Sequence, residues 1–371
     1  MAVTFAPTQL SQATKTSPQL AFPSVGIAGS GTAMMAMACY LTGRGYPVEV
    51  LARDEYGDST SGASSVKASG AIKGQFDRTT LGIKPDNLLQ NCSHLFIVAE
   101  SSMYKEIAWS LSPWLKARHL VILYGGGIGA SLEFERLLLA NGVSGAQVVE
   151  IDPLFHCRKE NSATIKVDAM RQWGQYSGTS PASTFECESA LKRLLPKLDS
   201  AQNFLSRGLS DYQSLLYPIN YTFGADAEMG AALLELINAG AEKEDSVLNH
   251  LEREFNMIAE AYSTSQMSTV VNIRRMYGAI TSSIAEAVSM APLQPASWDH
   301  MIKNLTESVS TSYVPLYELA RLAHLTTPAI DSVISMSAVM CGVDLLSQGR
   351  TLNRLGLEGL SQREIIKILN G

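Results

Sequence analysis

Five short, continuous apolar runs follow a polar start: SVGIAG from Ser24, PVEVLAR from Pro47, HLFIVAE from His94, HLVILYG from His119 and QVVEI from Gln147. Helical stretches separate them, and this alternation predicts parallel strands joined by crossovers. After Pro196 the strand-like runs stop and long segments of 3.6-residue period take over. In DSVLNHLEREFNMIAEAY, for example, Val247, Leu248, Leu251, Phe255, Ile258 and Tyr262 are expected to share one helical face. The pattern divides the chain into a polar, flexible tail over residues 1–22, an α/β domain over 23–202 and an all-helical domain over 203–371. Residues 153–195, which carry CRKENSATIKVDAM and a stretch rich in Gly, Ser, Thr and Pro, predict an extra strand or hairpin closing the first domain. The capping-box spacing from Ser361 to Glu364 predicts the start of a last helix.

Composition agrees with two domains. The chain has 371 residues, 46% of them hydrophobic and 17% charged, which is ample for a packed interior and too long for one core. With 29 basic and 35 acidic residues the net charge is −6, and no basic block interrupts it. The field that would gather nucleic acid or an anionic membrane surface is therefore missing, and a small-molecule partner is expected. Five well-separated cysteines without a C-x-x-C pair fit reduced thiols in the cytoplasm, with no disulfide framework and no metal site. The first 22 residues lack the basic start and apolar centre of a secretory signal. No run reaches the roughly 18 apolar residues of a membrane span.

The segment VGIAGSGTAMMAMACYLTGRGYPVEVLARD gives the first chemistry. Gly29 and Gly31 follow an apolar strand and precede a helix, where glycines let the backbone approach a pyrophosphate whose charge the helix N-terminus meets. Gly29, Ser30, Gly31, Thr32 and Ala33 are thus the expected phosphate loop of a Rossmann dinucleotide-binding domain. Position 34, where a third glycine would complete G-x-G-x-x-G, holds Met34. The bland alternative is a tight turn in another parallel sheet. Arg53, at the end of the second strand, would pair a 2′-phosphate and favours NADP. Asp54 beside it could instead take a ribose hydroxyl in NAD.

Taken together, these segments resemble the octopine/nopaline (opine) dehydrogenase family. The resemblance runs through GAIKGQFD at Gly70 to Asp77 and the two strands and helix that end in the glycine-rich turn Gly125 to Gly129. It continues in VVEIDPLFHCR from Val148 to Arg158 and the closing helices from Val314 to Leu357. It implies a Rossmann domain, a helical domain, a cleft between them, and NAD(P)H-dependent reduction of an imine formed from an amine or amino acid and a 2-oxo acid. Ala99, Gly125 and Gly126 count as further cofactor contacts. A homodimer built on the apolar final helices is a further expectation.

The family's catalytic segments are altered. In place of its N-x-N-x-x-x-H-P segment stands SDYQSLLYP, so Tyr217 replaces the acidic histidine before Pro218. KNLTESVS supplies Lys303 where the family has an Arg, Glu307 at the Glu, and Ser308 at the Asp that orients the histidine. Hydride reduction needs a proton donor, and a phenol can donate when a cation lowers its pKa from about 10. Tyr217 with Lys303 could form that pair, with Lys303 also holding a substrate carboxylate. The bland reading is a core tyrosine and a solvated lysine. Asp152, Arg158 and His156, just after the last parallel strand, are other cleft candidates. Asp152 could equally set a turn before Pro153, and His156 could be structural. Arg274 could bind a carboxylate, with Glu307 as another substrate contact. A reductase of a ketone or cyclic imine, or a cofactor-binding protein without turnover, are the rival readings.

Overall fold

The structure is a computed structural model that describes residues 22–52, 64–77, 83–212, 215, 218–219, 247–278 and 298–371. The five predicted runs form β1 (Val25–Gly29), β2 (Val48–Ala52), β5 (His94–Val98), β6 (Leu120–Tyr124) and β7 (Gln147–Ile151). They pair in parallel in the order β2, β1, β5, β6, β7, and β10 (Gly174–Gly178) and β11 (Leu198–Ser200) extend that sheet beyond β7. Only the β7–β10 junction is antiparallel. The chain leaves β1 toward β2 and returns to β5 on the other side, so a crevice opens at the carboxyl ends of β1 and β5.

A second sheet refines the expectation for residues 153–195. From that segment β10 adds to the main sheet, as expected of an extra strand, while the antiparallel hairpin β8 (Phe155–Lys159) and β9 (Thr164–Met170) joins β3 (Ser65–Gly70) and β4 (Gly74–Asp77) in a separate sheet ordered β4, β3, β9, β8. Helix α1 (Gly31–Gly43) lies between the two sheets, which explains why it is apolar all round: Met34 to Cys39 are buried without interruption. The opposite face of the main sheet carries α2 (Pro85–Asn91), α3 (Tyr104–Leu111) and α4 (Ala130–Ala140) over a separate core.

Helices α5 (Pro181–Glu186) and α6 (Glu188–Leu194) connect β10 to β11, and after β11 helix α7 (Phe204–Ser210) opens the helical part with Asn203 capping its N-terminus. The helix Val247–Ala261 buries Leu248, Leu251, Phe255 and Ile258 as expected, but Val247 at its first position is exposed. Helices Thr269–Tyr277, Trp298–Ser308, Val314–Leu322 and Pro328–Cys341 share its core. A π-helical turn, Val309–Tyr313, links the second and third of these. The final helix, Gln362–Asn370, starts from the predicted capping box between Ser361 and Glu364. At the other end, the Phe22 ring packs on Tyr46 with centroids 4.6 Å apart, so the tail is anchored at its last residue. Among the described residues no single helix is long and apolar enough to cross a membrane.

Candidate active site

The loop between β1 and α1 is shaped by close approach. Gly29 has φ +149, and a Cβ there would lie 1.9 Å from the Val98 carbonyl oxygen of β5. Gly31, at φ +79, has the opposite surroundings: a Cβ would meet nothing within 4 Å, so open space lies above the loop. Ser30 donates its backbone N–H to Val98 at 2.9 Å and makes no side-chain cap to α1, whose first turn holds no acidic residue. Thr32 and Ala33 occupy that turn half-buried. A helix start lacking both cap and carboxylate, under a glycine cradle, suits a diphosphate. Met34 points into the core, and helix and strand pack without the third glycine. Arg53 and Asp54 lie outside the described residues.

The glycine-rich turn after β6 divides by function. Gly125 faces open space, as a cofactor contact would. Gly126, Gly127 and Gly129 instead make room for packing: a Cβ would lie 2.3 Å from the Tyr104 hydroxyl, 2.4 Å from Thr311 Oγ1 and 2.6 Å from Leu355 Cδ2, respectively. Ala99 stands at the end of β5, half-buried.

Lys303 does reach the crevice. From the Trp298–Ser308 helix its Nζ lies 2.6 Å from the Glu100 carboxylate, immediately beyond β5. One turn further on, the Glu307 carboxylate accepts the Ser101 N–H at 2.8 Å and hydroxyl at 2.9 Å. Burial raises the Glu307 pKa, and the two Ser101 bonds oppose the rise. Ser308 begins the π-helical turn. Tyr217 lies outside the described residues. The segment leading to it is nonetheless tied to this region, because the Tyr313 hydroxyl donates to the Leu215 carbonyl.

Asp152 is committed to the domain joint. Fully buried, it accepts Arg207 Nη1 at 2.8 Å and the Gln175 N–H at 2.8 Å. Arg207 also binds Glu150 at 2.8 Å and the Gly127 carbonyl. Burial raises the Asp152 pKa, and the Arg207 charge resists it. Arg158 points away from the crevice, pairing with Asp168 at 3.3 Å on the exposed edge of the second sheet. Arg274 is exposed on the Thr269–Tyr277 helix, and its neighbour Arg275 stacks over Trp173 at 5.1 Å.

A β-bulge between His156 and Cys157 turns His156 inward. Its Nε2 is 2.5 Å from the Tyr277 hydroxyl, which also accepts from Tyr212 at 3.0 Å, while Arg171 lies over the Tyr212 ring at 5.7 Å. Burial and the Arg171 charge push the His156 pKa down to about 3, so its imidazole is neutral near pH 7. The Cys157 thiol, pushed up to about 12 chiefly by burial, is no nucleophile. Sequence reasoning missed Tyr277, Tyr212 and the buried Arg171, Arg207 and Arg350, which carry no local motif.

No protein-family model matches the chain. An opine dehydrogenase of Arthrobacter sp. (strain 1C) is 26% identical over 272 residues, 72% of this chain and 76% of that protein. Octopine dehydrogenase in complex with NADH and L-arginine superposes with a TM-score of 0.69 at 14% identity, covering 93% of this chain and 98% of that one. In sequence and in fold the chain is similar to the opine dehydrogenases. A ketopantoate reductase of the PanE/ApbA family from Ralstonia eutropha JMP134 shares the fold, with a TM-score of 0.60 at 12% identity over 86% and 98% of the two chains. The β1–α1 loop has the shape to fit a diphosphate such as that of the NADH in the octopine dehydrogenase complex.

Proposed function

We propose that the protein is a cytoplasmic reductase of a C=N bond formed from an amine or amino acid and a 2-oxo acid, preferring NADPH. The observation that carries this reading is the Lys303–Glu100 ion pair, which sets an ammonium at the carboxyl end of β5 beside the dinucleotide loop. Lys303 is 59% exposed, so a substrate carboxylate can exchange for Glu100 without a buried charge being stranded. Bound cofactor supplies the hydride to the imine carbon, and a proton must reach the nitrogen. Tyr217 is assigned as that donor and Lys303 as the cation beside it. Support comes from Tyr313, which follows the Lys303 helix and binds the Leu215 carbonyl. Arg53 supports NADPH as the partner of the 2′-phosphate.

The test is NADPH oxidation with 2-oxo acids crossed against amines, each also offered alone. Turnover should require both. Tyr217→Phe should lower kcat by about 10² to 10⁴ with cofactor affinity unchanged, the usual range for a general acid. Lys303→Met should chiefly raise KM for the oxo acid. Retention of most of the kcat by Tyr217→Phe would disqualify that residue as the donor. Oxidation with a single ketone or cyclic imine would favour the second reading, a ketone reductase, which the altered Tyr217, Lys303 and Ser308 set and the shared ketopantoate reductase fold recommend.

A further inference from the structure

On the α3/α4 side of the main sheet, opposite α1, the two domains line a half-open cleft of about 610 Å³. That size is typical of a small-molecule site. Its wall combines Ser102 and Lys105 at the start of α3, Arg136 on α4, and Arg354, Asn353 and Ser310 from the helical domain.

The charges in this wall do not cancel. Two carboxylates line it, Glu133 and Glu307, and both are already engaged. Glu133 sits between Arg350 Nε at 2.7 Å and Arg354 Nε at 2.7 Å, and Glu307 is held by Ser101. Lys105 and Arg136 also face the cavity, and among the described residues neither forms an ion pair. The surplus of positive charge is local to this cleft, since the chain as a whole carries −6. Ammonium and guanidinium on adjacent helices, with serine hydroxyls and an asparagine amide between, match the oxygens of an anion.

We propose that this cavity is a second ligand site, for a small anion bearing two or more carboxylate or phosphate charges. Its ligand would touch Lys105 and Arg136 on the Rossmann side and the Arg354 region on the helical side, so occupancy clamps the two domains together. The cleft borders the candidate active site through Ser101 and Glu307, but its cations Lys105 and Arg136 belong to neither the dinucleotide loop nor the Lys303–Glu100 pair.

Citrate and pyrophosphate are the probes, one carrying carboxylates and the other phosphates. Each is titrated by calorimetry and thermal unfolding into protein saturated with NADPH, against sodium chloride of equal ionic strength. At least one should bind at millimolar concentration or below and raise the Tm. The double charge reversal Lys105→Glu with Arg136→Glu should weaken that binding by at least about tenfold, or 1.4 kcal/mol. Its Tm without anion and its NADPH affinity should stay near wild type, since both side chains are exposed. Equal affinity in wild type and variant, displacement of NADPH by the probe, or no binding of either anion at millimolar concentration would each overturn the proposal. Which probe binds tells carboxylate from phosphate.

Discussion

His156 shows how far one side chain can depart from its ordinary chemistry. Folding removes its ring from water and places it near Arg171, so the native state refuses a proton that the unfolded chain accepts. A group whose folded pKa is depressed stabilises the fold fully above its unfolded value of 6.5 and loses that contribution as pH falls toward the folded value of about 3. Stability should therefore drop between pH 7 and about pH 4.5, and His156→Asn, which cannot titrate, should flatten that part of the profile. Urea midpoints across this range check the expectation, and parallel profiles for the two proteins would contradict it. The sequence marked His156 only by its position after the last parallel strand. Its partner Tyr277 lies 121 residues away in a helix of the other domain, and no local pattern pairs them.

Among the elements, the turn from Gly125 to Gly129 and the π-helical turn Val309–Tyr313 behave as one piece. Gly127 stands at φ +71, where a Cβ would press on both Oγ1 and the carbonyl oxygen of Thr311, at 2.4 and 2.6 Å. Gly127→Ala should cost about 1 to 3 kcal/mol of unfolding free energy for overpacking, on top of about 1 to 2 kcal/mol for a left-handed alanine. Gly125→Ala meets no atom and should show only the backbone cost of a left-handed alanine, about 1 to 2 kcal/mol. Denaturant melts of the two variants test the difference, and equal losses would refute the packing argument. The glycine run was legible as a turn. What it packs against was not, because the partner comes from nearly two hundred residues later. The parallel strands and the capped last helix were readable because their signals are local. The four-stranded sheet was not: its β3–β9 pairing joins Lys67 to Thr164, and its strands are short and part-exposed.

At the scale of the molecule, buried ions join the two domains. Arg207 neutralises Glu150 and Asp152, and Arg350 holds Glu133 and the Gly126 and Ile128 carbonyls. Arg207→Met would strand two buried carboxylates, and losing one partner of such a pair costs about 3 to 5 kcal/mol. Asp152, whose pKa burial already raises, would lose the cation that resists the rise. The loss of stability should be largest near neutral pH and shrink as acid protonates Asp152, since a raised carboxylate pKa favours the fold only at low pH. Thermal unfolding of the variant at two pH values reads this directly, and a loss that grew with acid would argue against the assignment. The cleft itself was only partly legible. Lys303 was singled out through its place in a family pattern, whereas the Glu100 it pairs with carried no signal of its own.

The joint also bears on how such enzymes can be recombined. A chimera cut at the start of α7 would take its carboxylates from one parent and its arginines from the other. Glu133, Glu150 and Asp152 sit before the cut, and Arg207 and Arg350 after it. A relative that distributes these charges differently would donate a helical domain that leaves a buried ion without its counterpart. Exchange of helical domains within this fold is thus governed by a charge code at the seam, and a graft should succeed only when both halves of each pair travel together.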